Sequence, residues 1–232
     1  MNTFADKIIA FNEQVAFTGQ LPDGIRIMNP FKENSEILAI SGAFYKKFYN
    51  DNQQRYLILG INPGRFGAGV TGVPFTDSHR LKNECGLPYT GKDTYEPSSV
   101  YIYDMIKSFG GAMAFYQQFY ISSVCPLGFT SRKGEGKEVN YNYYDSKALT
   151  DAVYDFMVWN IQTQISMGVC TDVCFCFGTG QNEKFLTKLN DKMGFFKKIV
   201  ALEHPRFIMQ YKSKSKQTYI DKYLAAFAAA SL

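Results

Sequence analysis

The order of apolar and polar positions along the chain predicts four short buried strands. Apolar runs occupy residues 55–61, 119–124, 172–177 and 197–202, and each stops abruptly at a polar or glycine-rich turn. Short apolar runs that end at Gly, Pro, Asn or Ser are typical of strands buried on both faces. We therefore predict four central strands.

Helical patterns separate these runs. Phe4, Ile8, Phe11 and Val15 recur at helical spacing, which predicts an amphipathic helix over residues 3–17. Further helices are predicted at residues 33–49, 100–109, 145–167, 183–193 and 216–230. Strands that alternate with helices indicate an α/β fold, in which helices cover both faces of a mainly parallel sheet.

Three segments have neither a continuous apolar run nor helical spacing of apolar residues, and they are predicted as loops. Residues 21–31 contain a Pro-Asp-Gly turn and an Asn-Pro turn. Residues 76–98 are irregular, with several Gly and Pro, and residues 130–144 are polar, charged and Tyr-rich. We expect the last segment to be a surface loop.

Polar turns follow all four predicted strands. They contain Asn62, Ser123, residues 178–182 and His204. Because the carboxyl ends of parallel strands meet at one edge of a sheet, and ligands of open α/β sheets bind there, we expect these turns to surround one cleft.

Each of these turns allows a structural and a functional interpretation. Asn62 fits a strand-ending turn, or it is an amide that orients a water molecule. His204 fits a structural hydrogen-bonding role, or it donates to a developing oxyanion. The Gly-Thr-Gly of residues 178–180 could bind a phosphate through its amides, although tight packing is the simpler account. His79 is expected at the surface.

Composition narrows the class of protein. The length of 232 residues suits a single domain over 1–232. Five cysteines, an odd number, favour free thiols in a reducing compartment, and the absence of CxxC pairs argues against a metal site. The N-terminus has no secretory pattern, and no apolar run is long enough to span a membrane. We expect a cytoplasmic, soluble protein.

Charge and aromatic content are compatible with a nucleic-acid partner but do not by themselves indicate one. The net charge is only +4, but residues 184–222 hold ten Lys or Arg against Asp191, Glu203 and Asp221. This basic region could face phosphates, or it could be a solvated lysine face. The aromatic fraction of 16% exceeds what a core alone suggests and suits stacking on bases.

Three motifs together resemble the uracil-DNA glycosylase superfamily. The sequence GINPGRFGAGVTGVPF (residues 60–75) resembles its first active-site motif, and is most similar to the single-strand-selective monofunctional (SMUG) class. YISSVCPLGF (120–129) resembles the middle motif, and LEHPRF (202–207) resembles the second active-site motif. GIRIMNPF (24–31) is similar to a connecting stretch of that class.

The resemblance implies a fold and an activity. The fold would be a three-layer αβα domain with a four-stranded parallel sheet. The reaction would be hydrolysis of the N-glycosidic bond of uracil, or of a related deaminated or oxidised base, in DNA after base flipping, as in base excision repair. Such an enzyme needs no cofactor and no metal. We expect a monofunctional enzyme that acts as a monomer.

The resemblance also assigns roles to individual residues. Asn62 would position the attacking water, and His204 would stabilise charge on the departing base. Phe75 would stack on the flipped base, while the backbone from Ile61 to Gly64 would contact it. Ser123 stands where SMUG-class members usually carry an Asn that reads the pyrimidine edge, so the base preference is open.

The DNA contacts are assigned in the same way. Arg206 and Phe207 would form the wedge that fills the gap left by the flipped base. Lys212 and Lys214, with Lys216, would contact phosphates. Two alternatives remain: a DNA- or nucleotide-binding module of the same fold that has lost catalysis, and an enzyme that hydrolyses free nucleosides. The presence of Asn62 and His204 favours the glycosylase.

Overall fold

The four predicted central strands form one parallel sheet. A computed structural model describes residues 2–133 and 136–230. Its strands are β1 (Ile25–Met28), β2 (Tyr56–Gly60), β3 (Phe119–Ser123), β4 (Gly128–Lys133), β5 (Lys137–Tyr141), β6 (Cys170–Phe177) and β7 (Lys198–Leu202). The parallel sheet has the order β3-β2-β6-β7, with β2 paired to both β3 and β6.

Helices flank this sheet and complete the predicted three-layer αβα fold. They are α1 (Phe4–Gln14), α2 (Pro30–Glu33), α3 (Ser35–Phe48), α4 (Ala68–Thr71), α5 (Ser78–Asn83), α6 (Pro97–Phe109), α7 (Ala112–Gln118), α8 (Lys147–Ala152), α9 (Tyr154–Ser166), α10 (Gln181–Met193), α11 (Pro205–Tyr211) and α12 (Lys216–Ala230). None of the described helices combines the length and the apolar character needed to cross a membrane.

Burial on both faces explains why the central strands are continuously apolar. Leu57, Ile58 and Leu59 of β2 are all fully buried, although successive side chains point to opposite faces. On one face, the Phe227 ring of α12 lies 4.5 Å from the Phe119 ring of β3 and 4.9 Å from the Phe175 ring of β6. Aromatic packing therefore fixes the C-terminal helix against the centre of the sheet.

A second, antiparallel sheet replaces two of the predicted loops. Strands β1, β4 and β5 form a three-stranded sheet in the order β1-β4-β5. The loop predictions for residues 21–31 and 130–144 are therefore wrong over most of their length, and residues 134 and 135 lie outside the described part of the chain. Strands β1 and β5 carry polar side chains at exposed positions, and β4 contains the buried Thr130 and Ser131, so these strands lack the continuous apolar signal of a buried strand.

Helix boundaries account for the other differences. The first helix ends at Gln14, and the long helix predicted at residues 145–167 is two helices, α8 and α9, which meet at Val153. The irregular segment 76–98 contains the short helix α5. Helix α11 follows β7 directly, with Pro205 at its first position, where a missing N–H costs nothing.

Candidate active site

The carboxyl ends of β2, β3 and β7 surround a cavity of about 520 Å³. Most of the site residues expected from the sequence line it: Ile61, Asn62, Gly64, Phe75, Ser123, His204, Arg206 and Phe207. Residues 178–182 do not; they line a neighbouring cavity of about 280 Å³ together with Ile61 and His204. Lys212 and Lys214 lie outside the lining, on the exposed segment that follows α11.

The turn after β6 has a structural role. Gly178 adopts a φ of 122°, and its N–H donates to the carbonyl of Leu202 at 2.7 Å. The buried Asn182 amide donates to the carbonyl of Phe177 at 3.0 Å, and Asn182 Oδ1 accepts from the Tyr143 hydroxyl at 2.7 Å. This network favours the packing interpretation of the Gly-Thr-Gly turn over phosphate binding.

Two backbone groups fix the orientation of the Asn62 side chain. Its Oδ1 accepts a hydrogen bond from the N–H of Tyr143 at 3.1 Å, and its Nδ2 donates to the carbonyl of Tyr141 at 3.2 Å. Because an N–H only donates and a carbonyl only accepts, the amide has a single favourable orientation. Oδ1 keeps a second lone pair, which can accept a hydrogen bond from a water molecule.

The β4–β5 hairpin holds the loop that carries Asn62. Tyr141 ends strand β5, and Tyr143 follows it, so both partners of the Asn62 amide belong to the hairpin and its exit. One residue before Tyr141, the Asn140 side chain accepts from the backbone N–H of Arg65 at 3.1 Å. A segment expected to be a surface loop therefore positions a candidate catalytic residue.

The His204 ring has a defined tautomer. Its Nδ1 accepts a hydrogen bond from the N–H of Arg206 at 3.2 Å and so caps helix α11. Burial, with a smaller effect of the Arg206 charge, lowers the pKa of His204 to about 4. At neutral pH the ring is therefore uncharged, and its proton is on Nε2. His204 presents a neutral donor at the cavity wall.

Phe75 lies against His204 in a backbone conformation that side chains rarely adopt. Its φ is 52°, and it is the one non-glycine residue with positive φ in the described part of the chain. The Phe75 ring centroid lies 5.6 Å from that of His204. A Cβ on Gly60 would come within 3.0 Å of the Phe75 ring, so glycine at the end of β2 leaves room for it. Strained residues of this kind concentrate at functional sites.

Ser123 lies at the end of β3, and its backbone is held by a residue that the sequence did not reveal. The carbonyl of Ser123 accepts from Asn160 Nδ2 at 2.8 Å, and the carbonyl of Val124 accepts from the same amide at 3.1 Å. Asn160 is fully buried in α9, and its Oδ1 accepts from Gln164 at 3.1 Å. A polar residue on a buried helix face is the only sequence signal for this anchor.

A model of the Uracil DNA glycosylase superfamily matches residues 46–228. The chain belongs to this superfamily. It is also similar to the crystal structure of wild-type SMUG2 from Pedobacter heparinus, with 66% identity, coverage of 100% of this chain and 99% of that chain, and a TM-score of 0.98. No curated protein matches the chain. The resemblance seen in the motifs is confirmed.

Membership in the superfamily settles the class of reaction. The protein is a DNA glycosylase, a hydrolase of N-glycosyl bonds. The alternative of a binding module that has lost catalysis is not favoured, because the close relative and the family model both point to the enzyme.

Ion pairs neutralise part of the glycosylase's basic C-terminal region. Lys197 pairs with Asp172 at 2.7 Å, Lys216 with Asp104 at 2.5 Å and Lys222 with Glu203 at 2.7 Å. Lys216, which the sequence suggested as a phosphate contact, is therefore engaged elsewhere. Lys212 and Lys214 are exposed, and neither forms an ion pair with another residue of the described ranges 2–133 and 136–230.

Glu96 is a cavity residue that sequence reasoning missed. It precedes α6 and lines the glycosylase cavity beside Gly64 and Arg206. A Cβ on Gly67 would lie 2.0 Å from Glu96 Oε2, so the carboxyl packs directly on the first motif. Burial, with a smaller contribution from the charge of Asp77, raises the pKa of Glu96 to about 7. No motif signals an acid here, because it is the fold that brings residue 96 to the loop.

Substitution of Glu96 by glutamine should stabilise the protein at alkaline pH. The folded state favours the protonated carboxyl, so this contribution to stability is complete below the unfolded pKa and is lost as the pH rises through about 7. Gln keeps a neutral group, and we expect a gain of up to about 3 kcal/mol in the free energy of unfolding near pH 8. Near pH 4 wild type and variant should coincide in urea unfolding.

A matched control uses Glu13, which is exposed on α1. Glu13→Gln leaves the Glu96 carboxyl in place, so it should not reproduce the gain in the free energy of unfolding near pH 8. A Glu96→Gln variant whose stability tracks wild type at both pH values would contradict the assignment of a buried, protonated carboxyl.

Proposed function

We propose that this glycosylase removes uracil and related deaminated or oxidised bases from DNA after flipping the target nucleotide into the 520 Å³ cavity. The observation that carries the proposal is the arrangement of Asn62 and His204. Backbone groups hold both polar atoms of the Asn62 amide and Nδ1 of His204, and both side chains line the same cavity. Enzymes that act on a base inside a duplex extrude it into such a pocket.

In the proposed mechanism His204 stabilises the departing base. The bond between the sugar and N1 of uracil breaks with both electrons going to the base, so negative charge accumulates on its carbonyl oxygens. A neutral Nε2–H donates a hydrogen bond to that charge and keeps its proton, because a pKa of about 4 makes His204 neutral at physiological pH. The base leaves as an anion.

In the second part of the reaction, Asn62 orients the attacking water molecule. The sugar becomes electron-poor as the base departs, so a water molecule suffices as the nucleophile. The free lone pair of Asn62 Oδ1 accepts a hydrogen bond from this water and aims its oxygen at the sugar carbon. As the new C–O bond forms, the water loses a proton, which the departed uracil anion takes up. The amide is already oriented by Tyr141 and Tyr143, which supports a positioning role without reorganisation.

Phe75 and the first-motif backbone form the rest of the base pocket in this proposal. The Phe75 ring stacks on the flipped base, and the backbone from Ile61 to Gly64 contacts its edge. Phe75 is held by Phe177, whose ring centroid is 5.7 Å away, and by the His204 ring. These contacts support a rigid stacking surface.

In this proposal, residues 205–214, which form α11 and the segment after it, bind the DNA strand. Arg206 and Phe207 are exposed on this helix at the mouth of the cavity, and the Phe207 ring lies 5.5 Å from that of Tyr211. We propose that they fill the space left by the flipped base, and that Lys212 and Lys214 contact phosphates.

Ser123→Asn should shift the enzyme toward uracil. A serine hydroxyl is short and both donates and accepts, whereas an asparagine amide offers separate donor and acceptor atoms that match the pyrimidine edge. We expect kcat/KM for uracil to rise relative to hypoxanthine by about tenfold, the worth of one good hydrogen bond in a buried site. An unchanged ratio of the two rates would remove Ser123 from base selection.

A panel of lesions tests the proposed function. Single- and double-stranded oligonucleotides bearing uracil, hydroxymethyluracil, hypoxanthine or xanthine are incubated with the protein, and alkali then reveals abasic sites. We expect strand cleavage with uracil at least. Tight DNA binding without cleavage of any of the substrates would contradict the proposal.

Three further expectations belong to the same proposal. We propose that the chain works as a monomer and as one domain, because a single active-site cavity contains both candidate catalytic residues. We also propose a reducing, cytoplasmic environment, because all five cysteines are free and buried.

A further inference from the structure

A second groove opens beside the active-site cavity and shares a wall with it. The groove has a volume of about 530 Å³. Five residues line both spaces: Glu96, Ser98, Asn140, Arg206 and Gln210. A DNA strand that places one nucleotide in the cavity must pass over the adjoining surface, so the groove lies within reach of the neighbouring nucleotides.

Two exposed aromatic rings distinguish this groove from ordinary surface. Phe66 is 44% exposed and Tyr95 is 62% exposed, and both line it. Most of the chain's aromatic rings are buried in the core. Of the five exposed aromatic rings in the described part of the chain, four surround the groove or the cavity: Phe66, Tyr95, Phe207 and Tyr211. Exposed rings beside a strand-binding site are stacking platforms for bases.

An arginine side chain packs on each of the two rings that line the groove, Phe66 and Tyr95. The Arg65 guanidinium lies 4.8 Å from the centroid of the Phe66 ring, and that of Arg80 lies 4.7 Å from the Tyr95 ring. Arg80 is itself held by the fully buried Asp77 at 3.4 Å. These contacts orient the rings. Arg65 and Arg206, which both line the groove, bring positive charge to it, which suits a base attached to a phosphate backbone.

We propose that this groove binds an unpaired base next to the flipped nucleotide, stacked on Phe66 or Tyr95. This inference rests on the proposed function, because it assumes that the substrate strand enters the shared cavity. A base in a duplex is paired and stacked on its neighbours, whereas a base in single-stranded DNA is free to turn into the groove.

Base-less spacers test the proposal. Each single-stranded oligonucleotide carries an uncleavable 2′-fluoroarabino uridine as the target nucleotide. In a series of such strands, a tetrahydrofuran spacer, which has no base, replaces one nucleotide at a time among the two nearest on each side of the target. Binding is measured by fluorescence anisotropy. For wild type we expect one spacer position to weaken binding about tenfold, the effect of losing one stacked base. Phe66→Ala and Tyr95→Ala should bind the intact strand more weakly, and at least one of them should lose the sensitivity to that spacer.

Controls separate stacking from folding and from charge. Tyr95→Phe keeps the ring and should behave as wild type. Met113→Ala removes a side chain that is 53% exposed on α7, away from the groove lining, and should keep the wild-type spacer pattern. Equal wild-type binding to all spacer substrates, or unchanged spacer sensitivity in both alanine variants, would overturn the proposal. A failure of uracil excision in parallel assays would instead overturn the proposed function, since the binding pattern does not depend on cleavage.

Discussion

Replacement of His204 by alanine is expected to lower kcat for uracil release by about 10²- to 10³-fold, with little change in KM. The neutral Nε2–H interacts most strongly with the base when negative charge has developed, so its loss affects the transition state more than the bound substrate. Single-turnover excision from a single-stranded oligonucleotide measures this effect. The chain offers a matched control, because His79 is exposed on α5, and His79→Ala should react at the wild-type rate.

The pKa of His204 adds a second check on the same residue. Because burial lowers that pKa to about 4, His204 should contribute no step to the pH dependence of kcat between about pH 5 and pH 8. Because folding lowers the pKa of His204, its contribution to the free energy of unfolding is fully present above the ordinary pKa of histidine. This contribution is lost as the pH falls toward about 4. A kinetic step near pH 6.5 that disappears in His204→Gln would contradict a neutral imidazole.

Replacement of Asn62 by alanine is expected to lower kcat by about 10²-fold or more, because the attacking water loses its orientation. The substitution also removes hydrogen bonds to Tyr141 and Tyr143, so we expect a loss of about 1–3 kcal/mol in the free energy of unfolding. Rates are therefore to be measured well below the melting temperature of the variant, which circular dichroism gives.

A comparison of variants separates water positioning from hairpin anchoring. Asn140→Ala removes the bond to the Arg65 N–H but leaves the Asn62 amide in place, so it should reduce kcat far less than Asn62→Ala. Asn52→Ala, an exposed change before β2, should leave both rate and stability unchanged. Equal rates for Asn62→Ala and wild type would show that the water is held by another group.

The central sheet was predictable because its strands are buried on both faces. Residues such as Leu57 to Leu59 are apolar without interruption, and breakers mark each strand end. The hairpin was not predictable in the same way. Strand β5 is partly exposed and both β4 and β5 contain several polar residues. Their structure depends on the pairing of β4 with β5 and with β1, which is distant in sequence.

The site likewise contains residues that the sequence predicted and residues that it did not. Asn62, Phe75, Ser123 and His204 all lie at or beyond strand ends, so topology and motif bring them together. Glu96 enters the cavity from the start of α6, and Asn160 reaches Ser123 from α9. Neither has a neighbour in sequence that would identify it, because only the packing of helices on the sheet decides which of their polar residues approach the cleft.

The release of free base from DNA tests the central claim most directly. A single-stranded oligonucleotide with one uracil is incubated with wild type and with the Asn62→Ala/His204→Ala double variant, and both the liberated uracil and the abasic strand are quantified by mass spectrometry. We expect wild type to release one uracil per abasic site, and the folded double variant to release neither at a measurable rate. Uracil release by the double variant at the wild-type rate would show that the chemistry takes place elsewhere.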